Sequence, residues 1–138
     1  MKGKLNEMFV WSCIGVSTEV FFTSIYDYFT IKNINLLGYS YVWMFPLYSQ
    51  IPTLFRLIDK LKFKFYKKVS LITIIFMFCE YCYGKILRKI AICPWEKNYK
   101  ISKYTIDNLV RYDWLPIWYF MSFIYYYRWV KINNKKIS

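Results

Sequence analysis

Four stretches of the chain are apolar for long enough to read as bilayer-crossing helices. The first runs from about Met8 to Thr30. The second, Ile34 to Phe55, holds no charged residue and meets the roughly 20 residues a spanning helix needs. The third, about Lys67 to Lys89, carries the uncharged run Val69–Cys79 and then Glu80. The fourth, about Leu109 to Val130, carries the uncharged run Trp114–Tyr127. This spacing predicts an all-α fold, a polytopic membrane helix bundle with four transmembrane helices. It reads as a single transmembrane domain over residues 1–138, with helices at about 8–30, 34–56, 67–89 and 109–130 and a long loop at about 90–108. Lys2 and Lys4 resemble the start of a signal peptide, but no small-x-small cleavage site follows and Glu19 interrupts the run. A retained first helix is therefore expected.

Composition removes the soluble alternative. Apolar residues make up 57% of the 138 residues and aromatic rings 24%. A soluble domain this short buries only about 60–70% of the surface its unfolded chain exposes, too little to hide that many rings. The net charge of +12 changes the picture less than it first suggests. The basic residues flank the apolar runs, as membrane loops do, so they read as topology and not as a nucleic-acid surface. With four crossings, Lys2, Lys4, Arg56, Lys60, Lys62, Lys64, Lys67, Lys68, Arg128, Lys131, Lys135 and Lys136 fall on one side. Lys32, Lys85, Arg88, Lys89, Lys97, Lys100, Lys103 and Arg111 fall on the other. The first set is larger, which places both termini in the cytosol. Aromatic residues crowd the ends of the runs, among them Tyr26, Trp43, Trp114 and Trp129, where amphipathic rings sit at headgroup level or serve the core.

Within this frame the informative charges are Glu19 and Glu80, each near the middle of an odd-numbered helix. A carboxylate at bilayer centre costs at least about 2.5 kcal/mol on insertion scales, so it faces the bundle interior and often marks function. Ser12, Gly15, Thr23 and Tyr26 share the Glu19 face at helical spacing, and Thr73, Tyr83 and Gly84 share that of Glu80. The pair reads either as a proton or cation site or as structural polar glue, with Arg88 or Arg111 as ion-pair partner of Glu80. Asp113 is a further charged candidate. Pro46, Pro52 and Pro116 are expected as helix kinks that free the carbonyls of Val42, Tyr48 and Tyr112.

The chain has no His, which removes the commonest general base and metal ligand. Cys13, Cys79, Cys82 and Cys93 do not read as a disulfide framework, and a lone Cys79-x-x-Cys82 inside a helix is a weak metal motif. No catalytic residue, metal site or cofactor is assigned. The halves echo each other: each is a Glu-bearing helix followed by a Pro-aromatic one, Trp43-x-x-Pro46-x-Tyr48 and Trp114-x-Pro116-x-Trp118. Two similar helical hairpins related by an axis along the membrane normal would produce this, and chance in an aromatic-rich chain is the alternative.

Several blocks together resemble the transmembrane protein 229 family. They are Glu19-Val20-Phe21-Phe22-Thr23, Gly38 with Trp43-Met44-Phe45-Pro46-Leu47-Tyr48, and Glu80-Tyr81 with Gly84 and Arg88. Cys93-Pro94-Trp95, Arg111-Tyr112-Asp113, Pro116 and Trp118 continue the series. The blocks cover roughly residues 10 to 120; the short basic tail and Ser49, where Gly is expected, depart from the pattern. The resemblance implies a multi-pass membrane protein, related to a bacterial group labelled as ABC-transporter-type, and supplies no catalytic residues. Three functions follow as expectations: an interaction or accessory membrane subunit, a small transporter or channel component using paired carboxylates, or a lipid-acting intramembrane enzyme. The enzyme reading lacks a visible nucleophile–base pair. The partners expected are the lipid bilayer and a homodimer or larger membrane complex.

Overall fold

A computed structural model of the chain describes residues 2–133, the side chain of Lys2 excepted. Lys135 and Lys136, used above for orientation, lie outside the described residues, as does the Lys2 side chain. The fold is mostly helical. In chain order it has α1 (Lys2–Ile31), α2 (Met44–Ser49), α3 (Ile51–Asp59), α4 (Phe65–Lys89) and α5 (Glu96–Tyr99). A small hairpin of β1 (Thr105–Ile106) and β2 (Val110–Arg111) follows, then a 3-10 turn (Tyr112–Trp114) and α6 (Leu115–Ile132). Among the described residues two helices, Gly3–Ile31 and Phe65–Lys89, are long and apolar enough to cross a membrane. The chain falls into two compact units, Met1–Pro52 and Thr53–Ser138.

In the first unit the chain turns at Lys32, whose φ of 53° ends α1, and comes back along that helix as extended backbone. Tyr39 lies beside Thr23, and Phe45 lies beside Ser12 and Phe9. Eleven residues of α1 separate Thr23 from Ser12, about 16 Å at 1.5 Å per residue. The single helix expected at 34–56 is thus corrected to an extended segment followed by α2 and α3. The stretch contains Asn35, Gly38, Ser40 and Val42, all weak helix formers. Two glycines set how closely the chain approaches α1. A Cβ on Gly38 would lie 1.9 Å from the Val20 carbonyl oxygen, and one on Gly15 would lie 2.3 Å from the Tyr48 ring.

The second unit is built on an antiparallel pair, α4 and α6. Phe65, at the start of α4, stacks on Tyr126 near the end of α6 at 5.4 Å, and Phe76 meets Trp118 at 5.4 Å. Phe55 of α3 joins edge-on to Tyr126 and Trp129, and all four of Phe55, Phe65, Tyr126 and Trp129 are buried. α4 ends with Ala91 at φ 57°, the Ile92 and Ala91 amides donating back to the Leu87 and Arg88 carbonyls. The segment expected as a long loop at about 90–108 is ordered into α5 and the first strand of the hairpin. The hairpin turns through Asp107 and Asn108, both at positive φ, with the Leu109 amide donating to the Ile106 carbonyl. Trp95 is buried, its indole N–H donating to the Leu109 carbonyl at 3.1 Å.

The prolines do not kink helices. Pro52 and Pro116 stand second in α3 and α6, and Pro46 stands third in α2. Amides in the first turn have no intrahelical acceptor, so a missing N–H costs nothing there. The carbonyls of Val42 and Tyr112 are taken by the amides of Phe45 and Leu115. Gly38→Ala should destabilise the protein by about 2 kcal/mol or more, since a backbone carbonyl cannot yield as a side chain can. Gly3→Ala, with nothing within 4 Å, should stay within about 0.5 kcal/mol of wild type. Denaturant unfolding in detergent checks both, and equal effects would contradict the close approach.

Candidate functional site

Each unit holds one of the two glutamates against its own donors. In the first, α1 presents Ser12, Gly15, Glu19 and Thr23 along one face, the small polar face legible from helical spacing. The returning chain lies on it. Glu19 Oε2 accepts from the Ser40 hydroxyl at 2.8 Å and the Tyr48 hydroxyl at 3.0 Å. Gly15 makes this geometry: without a Cβ it admits the Tyr48 ring, which then reaches one turn further to the carboxylate. One turn beyond Glu19, Thr23 Oγ1 accepts the Tyr39 amide at 2.8 Å and lies 2.9 Å from the Tyr39 carbonyl. A side chain here does what a neighbouring strand does in a sheet. Ser12 Oγ lies 3.0 Å from the Phe45 carbonyl.

In the second unit Glu80 is 1% exposed and accepts from the Tyr99 hydroxyl at 3.1 Å. It lies under the residues 90–114, which pack along the C-terminal half of α4. Gly84, one turn on, lies under Leu109 and Trp95, and an added Cβ would come within 2.9 Å of Leu109. Arg88 does not reach Glu80. Eight residues of helix separate them, about 12 Å. Its guanidinium instead meets Glu96, Nε to Oε2 at 3.2 Å, and the Asp107 carbonyl. Arg111 forks onto Asp113, Nε to Oδ1 at 3.1 Å, and lies over the Trp114 ring at 4.2 Å. Arg88 therefore fastens the 90–114 segment to α4, whereas Arg111 and Asp113 pair with each other inside that segment.

Sequence reasoning missed three groups. Tyr99 lay in a presumed loop, and Ser40 in a presumed helix. Asp59 was passed over, although it is the one acid in a basic stretch. It accepts from the Tyr126 hydroxyl at 3.1 Å and faces Lys68 Nζ at 3.8 Å, joining α3, α4 and α6. That isolated sign reversal was the available signal. The four cysteines are free thiols, and burial pushes the Cys93 thiol up. No group of three or more His, Cys, Asp or Glu side chains comes together among the described residues. Compared with protein-family models, curated proteins and solved structures, the chain finds no match.

Two outcomes follow from this geometry. Tyr99→Phe leaves a buried carboxylate short of a donor and should cost about 1–3 kcal/mol, while Tyr104→Phe at an exposed position should be near neutral. Unfolding midpoints of the two variants decide it. Asp107 accepts from Tyr81 at 2.7 Å and pairs with Lys85 at 2.8 Å. The bond from Lys85, then that from Tyr81, holds its carboxyl below the ordinary value of 3.8. The contribution of this contact is complete above that ordinary value and is lost as pH falls through the lower folded value. The carboxyl carbon shift of Asp107 in micelles should titrate below pH 3.8; titration at or above it refutes the contact.

Proposed function

We propose that the chain is a multi-pass membrane protein acting as an accessory or interaction subunit, its two carboxylates fastening its own units and not lining a pathway. The observation that carries this reading is the closure of each glutamate by hydroxyl donors from its own unit. Glu19 takes Ser40 and Tyr48, and Glu80 takes Tyr99. In this reading the chain crosses four times. α1 and α4 are regular crossings, α6 is a third helical one of 18 residues, and the return along α1 is discontinuous. Non-helical backbone is tolerated at bilayer depth where protein satisfies its polar groups, which is the service Thr23 performs for Tyr39.

The likeness to the transmembrane protein 229 family belongs to the same proposal, and its blocks meet in space. Glu19 and Thr23 meet the segment from Gly38 to Tyr48, and Gly84 meets Trp95. Residues matched for that reason hold a fold. The transporter reading keeps one observation in its favour: an unwound pass beside a half-buried carboxylate, Glu19, is a feature from which transporter sites are built.

The test has two arms. On a cysteine-free background, N35C and S102C should label with an impermeant maleimide from one side of the membrane and K62C from the other. Labelling of N35C and K62C from the same side removes the discontinuous crossing. In proteoliposomes, wild type and E19Q/E80Q should show equal proton and cation leak, and cross-linking in native membranes should recover the same neighbours with both. A flux carried by wild type and lost in E19Q/E80Q replaces the accessory reading with the transporter one.

A further inference from the structure

One end of the second unit collects positive charge from segments far apart in sequence. The aromatic cluster of Phe55, Phe65, Tyr126 and Trp129 brings the last turns of α6 to the junction between α3 and α4. Arg128 and Lys131 thereby join Lys60, Lys62, Lys64 and Lys67, and all six side chains are exposed. The local acid, Asp59, is engaged by Lys68 and Tyr126. Among the described residues no carboxylate meets Lys60, Lys62, Lys64 or Lys67. A solvated charged face would need nothing more, but here the lysines alternate with exposed apolar side chains. Leu61 is 39% exposed, Phe63 47% and Tyr66 66%.

That alternation has a chemical meaning. Water does not favour the exposure of Phe63 and Tyr66, and hydrocarbon does not favour Lys62 and Lys64. The boundary between acyl chains and headgroups suits both: rings enter the acyl edge while ammonium groups stand at phosphate level. Clustered Lys and Arg directly beside a membrane helix attract anionic headgroups, and the attraction falls off within a Debye length.

We propose that this end of the second unit, formed by Lys60, Lys62, Lys64, Lys67, Arg128 and Lys131 with Phe63 and Tyr66 between them, is a binding surface for anionic phospholipid. It rests on the membrane reading above. It goes beyond the use of these charges for orientation, because it requires headgroup selectivity at the folded protein's surface. The fold supplies what the sequence run lacks: α6 adds Arg128 and Lys131 to the 60–67 segment and fixes the spacing of the charges.

The test is electron paramagnetic resonance of spin-labelled phosphatidylserine and phosphatidylcholine in vesicles holding the full chain. Motionally restricted phosphatidylserine should exceed phosphatidylcholine by about fivefold at low salt, the scale set by one lysine near a membrane surface. K60Q/K62Q/K64Q should bring the ratio towards one. K97Q/K100Q/K103Q, an equal charge change in the segment packed at the other end of α4, should leave it in place. High salt should collapse the wild-type preference. Equal restriction of the two lipids by wild type, a preference that resists salt, or equal loss in both triple variants overturns the proposal and leaves the membrane reading standing. A chain that restricts neither lipid overturns both.

Discussion

A chain read as lying in a bilayer has nowhere to leave a backbone amide or carbonyl unpaired, and the first unit is organised around that constraint. Its returning segment is not helical, and its own amide–carbonyl bonds are turns, such as Leu36 to Asn33 and Met44 to Tyr41. α1 serves as its partner strand through side chains. Thr23 meets both backbone polar groups of Tyr39, and Ser12 reaches the Phe45 carbonyl. Such bonding demands close approach, so Gly38 stands against the Val20 carbonyl and Gly15 receives the Tyr48 ring. Glu19 then has two hydroxyls to accept from, and the cost of placing a carboxylate among apolar groups is offset locally. Without the small face of α1, neither the return nor the glutamate has partners.

The second unit meets the same demand by different means. Its polar connection is folded down along α4 as a short helix and a hairpin, enclosing Glu80 with Tyr99 and burying Trp95. Ion pairs seal the outer edge, Arg88 with Glu96, Lys85 with Asp107 and Arg111 with Asp113. The two glutamates look alike in sequence, yet one is closed by the chain's return along its helix and the other by an ordered connection. The hairpin echo in the sequence does not extend to the partners of the glutamates: Tyr48 follows Pro46 on α2, whereas Tyr99 belongs to α5.

Much of this was legible beforehand. The helical character, the long apolar helices α1 and α4, and the face shared by Ser12, Gly15, Glu19 and Thr23 are consequences of local pattern, because helix geometry converts spacing into direction without reference to the rest of the chain. Other features depend on what lies opposite. A charge-free run at 34–55 reads as a helix by composition, but its weak formers yield when α1 offers an alternative set of hydrogen bonds. Pro46, Pro52 and Pro116 read as kinks until the ends of the helices are known. Arg88 reads as a partner of Glu80 until Glu96 is found nearer to it.

Sequence by itself thus determined the helical class, the two long apolar helices and the place of the two glutamates on them, since hydrophobic length, charge placement and periodicity are properties of the chain alone. Only tertiary structure decided which groups answer the glutamates, that the return along α1 is extended, and that Arg128 and Lys131 join the lysines of the α3–α4 junction. These are contacts between residues distant in the chain, and their free energies depend on distances that close only when the units fold.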